Sequence, residues 1–164
     1  MSIPFTHVVV DPDAPRHPHC KAAGDLNGDG RPDLLVASAD GDGVFWYEAP
    51  TWTKHRIGDG SFTTDMAVGD IDGDGYPDVV VPSAGKPYAP LYWYRNPMAS
   101  GRSPTEPWDR HVIGTPKGRH DVLLADLDGD GRLEVAVRGQ SSFSDKAGDE
   151  ITLYRRQDDG AWAW

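Results

Sequence analysis

The stretch DLNGDGRPD, running from Asp25 to Asp33, returns as DIDGDGYPD at residues 70–78 and as DLDGDGRLE at residues 126–134. A short apolar run follows each copy at once: LLVAS, VVVPS and VAVRG. A small or apolar stretch precedes each: KAAG, MAVG and VLLA. Downstream lies an aromatic segment, VFWYEAP (44–50), LYWYRNP (91–97) or ITLYRRQ (151–157). A Trp-x-x-His segment then closes the first two copies, TWTKHRIG (51–58) and PWDRHVIG (107–114). Features that recur together at a fixed phase mark one structural unit stacked on itself. Successive loops start 45 and 56 residues apart. The added length sits at Lys86–Pro90 and Met98–Pro107, with a third extension at Ser141–Asp149, between the repeated segments, where a packed repeat tolerates insertion.

Nineteen Gly and 14 Pro interrupt the chain every few residues, and the apolar runs between them are short. This pattern predicts short strands joined by turns. Each unit offers four: one before the Asp-rich loop, one after it, the aromatic strand and the Trp-x-x-His strand. Four antiparallel strands in about 40 to 50 residues make one β-propeller blade. The expected fold is therefore all-β, with three four-stranded antiparallel blades in a single domain over residues 1–164. The units run over about 11–58, 59–114 and 115–164. FTHVVV places His7 where His55 and His111 fall, and the chain closes on AWAW (161–164), where the next Trp-x-x-His segment would begin. Residues 5–10 are thus expected as an outer strand closing the last blade. Propellers have roughly four to eight blades, and an open arc leaves strand edges unpaired. Three blades are expected to form part of a larger propeller or, in a second arrangement, half of a homodimeric ring.

The loops have the chemistry of calcium sites. Ca²⁺ takes about six to eight hard oxygen ligands in a flexible shell. Positions 1, 3 and 5 supply Asp25, Asn27 and Asp29; Asp70, Asp72 and Asp74; Asp126, Asp128 and Asp130. Position 7 needs only a backbone carbonyl, so its side chain varies: Arg31, Tyr76 and Arg132. Position 9 adds a last carboxylate, Asp33, Asp78 or Glu134. Glycine at positions 4 and 6 lets the backbone wrap a small sphere. An EF-hand needs a bidentate Glu at position 12, but Val36, Val81 and Val137 stand there. Without a cation, such tightly grouped carboxylates repel. Up to three Ca²⁺ are expected; Mg²⁺ suits the loops less, because it prefers fewer protein ligands.

The pattern D-x-D/N-G-D-G-x-x-D/E, entering an apolar strand and repeated, resembles the FG-GAP/VCBS family of integrin-α-like propeller repeats. The resemblance covers nearly the whole chain. It implies that each loop joins two strands of a blade and holds calcium mainly for structure. It also implies a secreted or cell-surface setting. Asn27 and Glu134 depart from the usual Asp at their positions.

Net charge is −10, from 26 acidic and 16 basic residues. Eleven acids lie in the three loops, and the other 15 nearly balance the bases, so the acidity is local. No basic stripe exists to meet phosphates, which argues against a nucleic-acid partner. The N-terminal MSIPFTHVVVDPD reads as neither a signal peptide nor a membrane span. The single cysteine, Cys20, excludes an internal disulfide framework.

Before each loop, at equivalent positions, stand His19 and Cys20, Thr64 and Asp65, and His120 and Asp121. In a propeller this point leads into the innermost strand. His19, Asp65, His120 and Asp121 are therefore candidates for a ligand funnel, with strand capping as the alternative. The paired residues Trp52 with His55 and Trp108 with His111 repeat with the blade, so they are expected to pack the outer strand. Trp46, Tyr47, Trp93 and Tyr94 read as inter-blade core. No GxSxG, P-loop or zinc motif occurs. The expected function is a non-catalytic scaffold for a polysaccharide or protein ligand. The alternative is part of a carbohydrate-active enzyme such as a propeller-fold polysaccharide lyase.

Overall fold

Strand β1, Pro18–Gly24, runs into the first Asp-rich loop and returns as β2, Asp33–Ser38, with Gly24 opposite Asp33. The aromatic strand β3, Val44–Glu48, pairs with β2, and β4, Thr53–Gly58, takes the outer edge. The next sheet repeats this order with β5 (Ala67–Gly69), β6 (Asp78–Pro82), β7 (Leu91–Arg95) and β8 (Asp109–Gly114). The third does so with β9 (Arg119–Ala125), β10 (Glu134–Gly139), β11 (Ile151–Arg156) and β12 (Trp162–Ala163). Every pairing within the three four-stranded sheets is antiparallel. This computed structural model describes residues 4–85, 89–116, 119–140, 150–157 and 160–163. The extension at Ser141–Asp149 and most of Lys86–Pro90 lie outside the described residues. Among the described residues there is no α-helix; the Met98–Pro107 extension opens with a turn of 3-10 helix, Pro97–Ser100.

The strand that follows the second loop is short and apolar because it is covered on both faces. In β6 all five residues are buried. The cores accordingly lie between sheets. Leu26, Val44 and Trp46 pack in one cluster with Met66, Val79 and Tyr94 of the second sheet's unit. Ile71, Leu91 and Trp93 pack in another with Val122, Val135 and Tyr154 of the third. Glycine allows the outer strands to approach. A Cβ on Gly58 would lie 2.4 Å from Tyr94 Cε1, and one on Gly114 would lie 2.6 Å from Tyr154 Cε1. The same tyrosine of each later sheet thus rests on the last residue of the preceding outer strand.

Repeat-equivalent positions show which faces are covered. Val44 and Leu91 open the third strands of their sheets and are fully buried, whereas their counterpart Ile151 is exposed. On the opposite face, Leu34 is partly exposed, while its counterparts Val79 and Val135 are fully buried. Leu34 on the first sheet's backward face and Ile151 on the third sheet's forward face therefore lack the cover that the equivalent residues of the middle sheet receive.

One expectation changes. Residues 5–10 form no strand; the fourth place in the third sheet is taken by β12. The N-terminal segment is anchored to the first sheet instead, where Asp11 Oδ2 accepts from Lys54 Nζ at 2.6 Å and Tyr47 Oη at 2.8 Å. The repeated histidines face the third strand of their own sheets. Register places His55 opposite Trp46 and His111 opposite Trp93. Their ring centroids lie 4.5 and 4.8 Å apart. Trp46 and Trp93 are buried, as are Tyr47 and Tyr94. These four aromatics supply core, not an open platform for a sugar ring.

Candidate metal centre

Each Asp-rich loop first organises itself through its own backbone. Asp25 accepts from Asp29 N and Gly30 N at 3.1 and 2.8 Å. Asp70 accepts from Gly73, Asp74 and Gly75, and Asp126 from Gly129 and Gly131. The two glycines of every loop have φ between +74° and +92°. A Cβ at Gly73, Gly75, Gly129 or Gly131 would meet nothing within 4 Å. The backbone angle, not space, therefore demands glycine there.

The ninth-position carboxylate clamps the loop to the sheet. Asp33 is fully buried; its Oδ2 accepts from Leu26 N at 3.0 Å and its Oδ1 from Ala49 N at 2.9 Å. Asp78 does the same with Ile71 N and Asn96 N, at 3.3 and 2.8 Å. Glu134 Oε2 accepts from Leu127 N at 2.8 Å. In the first two loops the loop's second residue and the residue just after the third strand are thus tied to one acid. Burial raises Asp33 above the ordinary carboxylate range and pushes Asp78 up to about 7.

Oxygens of Asp70, Asp72 and Asp78 lie within 4.8 Å of one another, as do those of Asp126, Asp128 and Glu134. In the first loop Asn27 replaces an acid, and its Oδ1 accepts from Asp29 N at 3.1 Å. The fifth-position acids Asp29, Asp74 and Asp130 each accept from the backbone N–H two residues on, that of Arg31, Tyr76 and Arg132. The donor set fits a hard divalent cation, being all oxygen. Asp72 supplies a sharper test. Its Oδ1 is buried with no hydrogen-bond partner, and burial followed by the Asp74 carboxylate raises its pKa. A buried, unpartnered acceptor among like charges is what a bound cation would satisfy.

Four residues beside the loops were not legible as site residues. Arg95 Nε lies 2.6 Å from Asp72 Oδ2, Arg155 lies 3.3 Å from Asp128 Oδ2, and Asn27 Nδ2 donates to Glu48 Oε1 at 3.2 Å. Asn96 is buried and donates from Nδ2 to Leu26 O and Pro77 O, both at 3.0 Å, joining the first two loops. The available signal was positional: Glu48, Arg95 and Arg155 share one place in the repeat.

The funnel candidates are engaged with nearby groups. His19 Nδ1 accepts from Thr64 N at 3.2 Å, and Asp65 Oδ2 accepts from Val122 N at 3.1 Å. Each bond crosses from one repeat unit to the next. His120 Nδ1 lies 2.6 Å from Asp121 Oδ1, and Arg138 Nε donates to Asp121 Oδ2 at 2.6 Å.

Fold and loops together define an all-β repeat protein whose sheets are entered through acidic loops. Residues 25–81 match the family model described as the FG-GAP-like repeat. The match runs from the first residue of the first loop into β6, spanning one repeat and the following loop. This part of the chain is thus similar to an FG-GAP-like repeat. A search of curated proteins finds no match.

Proposed function

We propose that this chain is a calcium-stabilised arc of propeller-type blades serving as a non-catalytic scaffold for a carbohydrate or protein ligand. The unpartnered Asp72 Oδ1, within a carboxylate group on a loop that recurs three times, is the observation that supports calcium. Loop carboxylates that repel in the bare chain are screened by the ion, so folding and binding are linked. Calcium held at about 100 times its dissociation constant adds about 2.7 kcal/mol to stability. Thermal unfolding with calcium and then with excess EGTA tests this directly. A melting temperature that ignores the chelator defeats the calcium reading.

The bonds of His19 and Asp65 to backbone of the next unit favour a scaffold over a catalytic funnel. The uncovered faces of the first and third sheets fit further blades of the same repeat, whether from additional repeats or from a second copy. Light scattering after size exclusion separates these: a dimer supports the ring of two copies, and a stable calcium-loaded monomer opposes it. A glycan array in calcium tests the ligand. Release of unsaturated uronates from acidic polysaccharides would favour an enzyme instead.

A further inference from the structure

The three loops share one architecture but differ in what stands behind their third-position ligand. That ligand is Asn27, Asp72 or Asp128. The residue behind it immediately follows the blade tyrosine on the third strand: Glu48 after Tyr47, Arg95 after Tyr94, Arg155 after Tyr154. The pairs are matched in chemistry. Where the ligand is an amide, its N–H₂ points outward to a carboxylate, Asn27 Nδ2 to Glu48 Oε1 at 3.2 Å. Where it is a carboxylate, its outer oxygen forms an ion pair with a guanidinium, at 2.6 Å for Asp72–Arg95, whose Nη2 also donates to Asp74 Oδ2 at 2.9 Å, and at 3.3 Å for Asp128–Arg155.

In each loop the other atom of the pair, Oδ1, is an oxygen, but its surroundings differ. Asn27 Oδ1 and Asp128 Oδ1 face the backbone N–H groups of their own loops, those of Asp29 and Asp130. Asp72 Oδ1 is buried without any partner. An amide turned the other way would aim two donors at the cation. A carboxylate left free could spend both oxygens on solvent or neighbouring backbone. Glu48 is itself steadied by His55, whose Nε2 lies 3.1 Å from its Oε2.

We propose that Glu48, Arg95 and Arg155 are positioning residues for the metal loops: each holds the outer atom of its loop's third-position side chain, Glu48 by a hydrogen bond and the arginines by ion pairs, and so presents one oxygen inward. The inference rests on the calcium reading and goes beyond it, because it assigns a ligand-orienting role to residues outside the nine-residue loops. Outer partners of metal ligands commonly change affinity by about 10- to 100-fold when altered. The identity of the pair is therefore exchangeable as a unit but not singly.

The test is a charge swap in the first loop of the full chain, read by calcium titration of the amide resonances of Gly30, Gly75 and Gly131, one reporter per loop. Asn27→Asp alone sets two carboxylates face to face, and Glu48→Arg alone sets a guanidinium against an amide donor. Each is expected to weaken calcium at the Gly30 reporter by about 10-fold or more. The double variant recreates the Asp72–Arg95 pairing and is expected to return to within about threefold of wild type, a non-additivity that marks direct coupling. Glu48→Gln, which keeps an acceptor for Asn27 Nδ2, should hold the affinity. The Gly75 and Gly131 reporters should not move, whereas general destabilisation would disturb all three. Single effects that simply add, or single variants that bind as wild type, overturn the positioning role. Wild-type protein in which no reporter responds to calcium overturns the calcium reading beneath it.

Discussion

Leu26 and Leu127 occupy the same place in the first and third loops, yet Leu26 is 0% exposed and Leu127 is 53% exposed. The intermediate loop's Ile71, at 3%, sides with Leu26. Only the presence of a following sheet separates the cases. Leu26→Ala should therefore cost about 2–5 kcal/mol of stability, through lost burial and the cavity left behind. Leu127→Ala in the chain alone should fall within about 0.5 kcal/mol of wild type. Urea unfolding of the two variants, side by side, measures the contrast. Equal losses would mean that Leu127 is covered in solution.

Gly58 and Tyr94 predict a sharp steric test. A Cβ at Gly58 would sit 2.4 to 2.8 Å from three atoms of the Tyr94 ring and hydroxyl. The ring is buried and cannot swing aside without opening the inter-sheet core. Gly58→Ala should cost about 1–3 kcal/mol by overpacking. Gly114→Ala should do the same through Tyr154. Gly75→Ala instead meets open space but has φ of +92°, so its penalty is conformational. Denaturant midpoints of the three variants give the comparison.

Asp33→Ala would leave the N–H groups of Leu26 and Ala49 without their acceptor at a buried site. An unsatisfied buried donor costs about 1–3 kcal/mol. This loss should appear in calcium-free protein as well, because the clamp is made to backbone and not to an ion. Thermal unfolding in EGTA checks it. A variant equal to wild type without calcium, and weaker only with it, would assign Asp33 to the ion alone.

Cys20 is buried in the core between the first two sheets. Burial, with the Asp65 charge adding to it, pushes its thiol up to about 12. The thiolate is the reactive form, so the folded chain should resist thiol-specific reagents at neutral pH. Labelling should follow the unfolding curve and become faster when calcium is chelated. Rapid labelling of folded, calcium-loaded protein would contradict the placement of this strand.

Much of the fold was legible because it rests on local chemistry repeated in register. The positive-φ glycines, the acid at each ninth position and the apolar run after it announce a turn entering a covered strand wherever they occur. The copies also fixed strand count and order. What misled was similarity without partnership. FTHVVV resembles β4 and β8 in sequence, but an outer strand needs an unoccupied edge, and β12 holds that edge in the third sheet. Cross-strand register, which adjacency in sequence does not report, sets the histidines opposite Trp46 and Trp93. The site residues outside the loops, Glu48, Arg95, Arg155 and Asn96, lie about 20 residues or more from the atoms they touch. No local pattern reports such a contact.

By itself, then, the sequence determined the repeat, the four-stranded antiparallel sheets and the oxygen-rich loops, because turn conformation, strand burial and carboxylate spacing are all written within a few residues. The tertiary structure decided which equivalent residues are covered and which charge stands behind each loop. Stacking one sheet on the next buries Leu26 and leaves Leu127 open, and the return of the third strand sets Glu48 or an arginine against the loop's third-position side chain. Both depend on groups brought together only when the sheets form and pack.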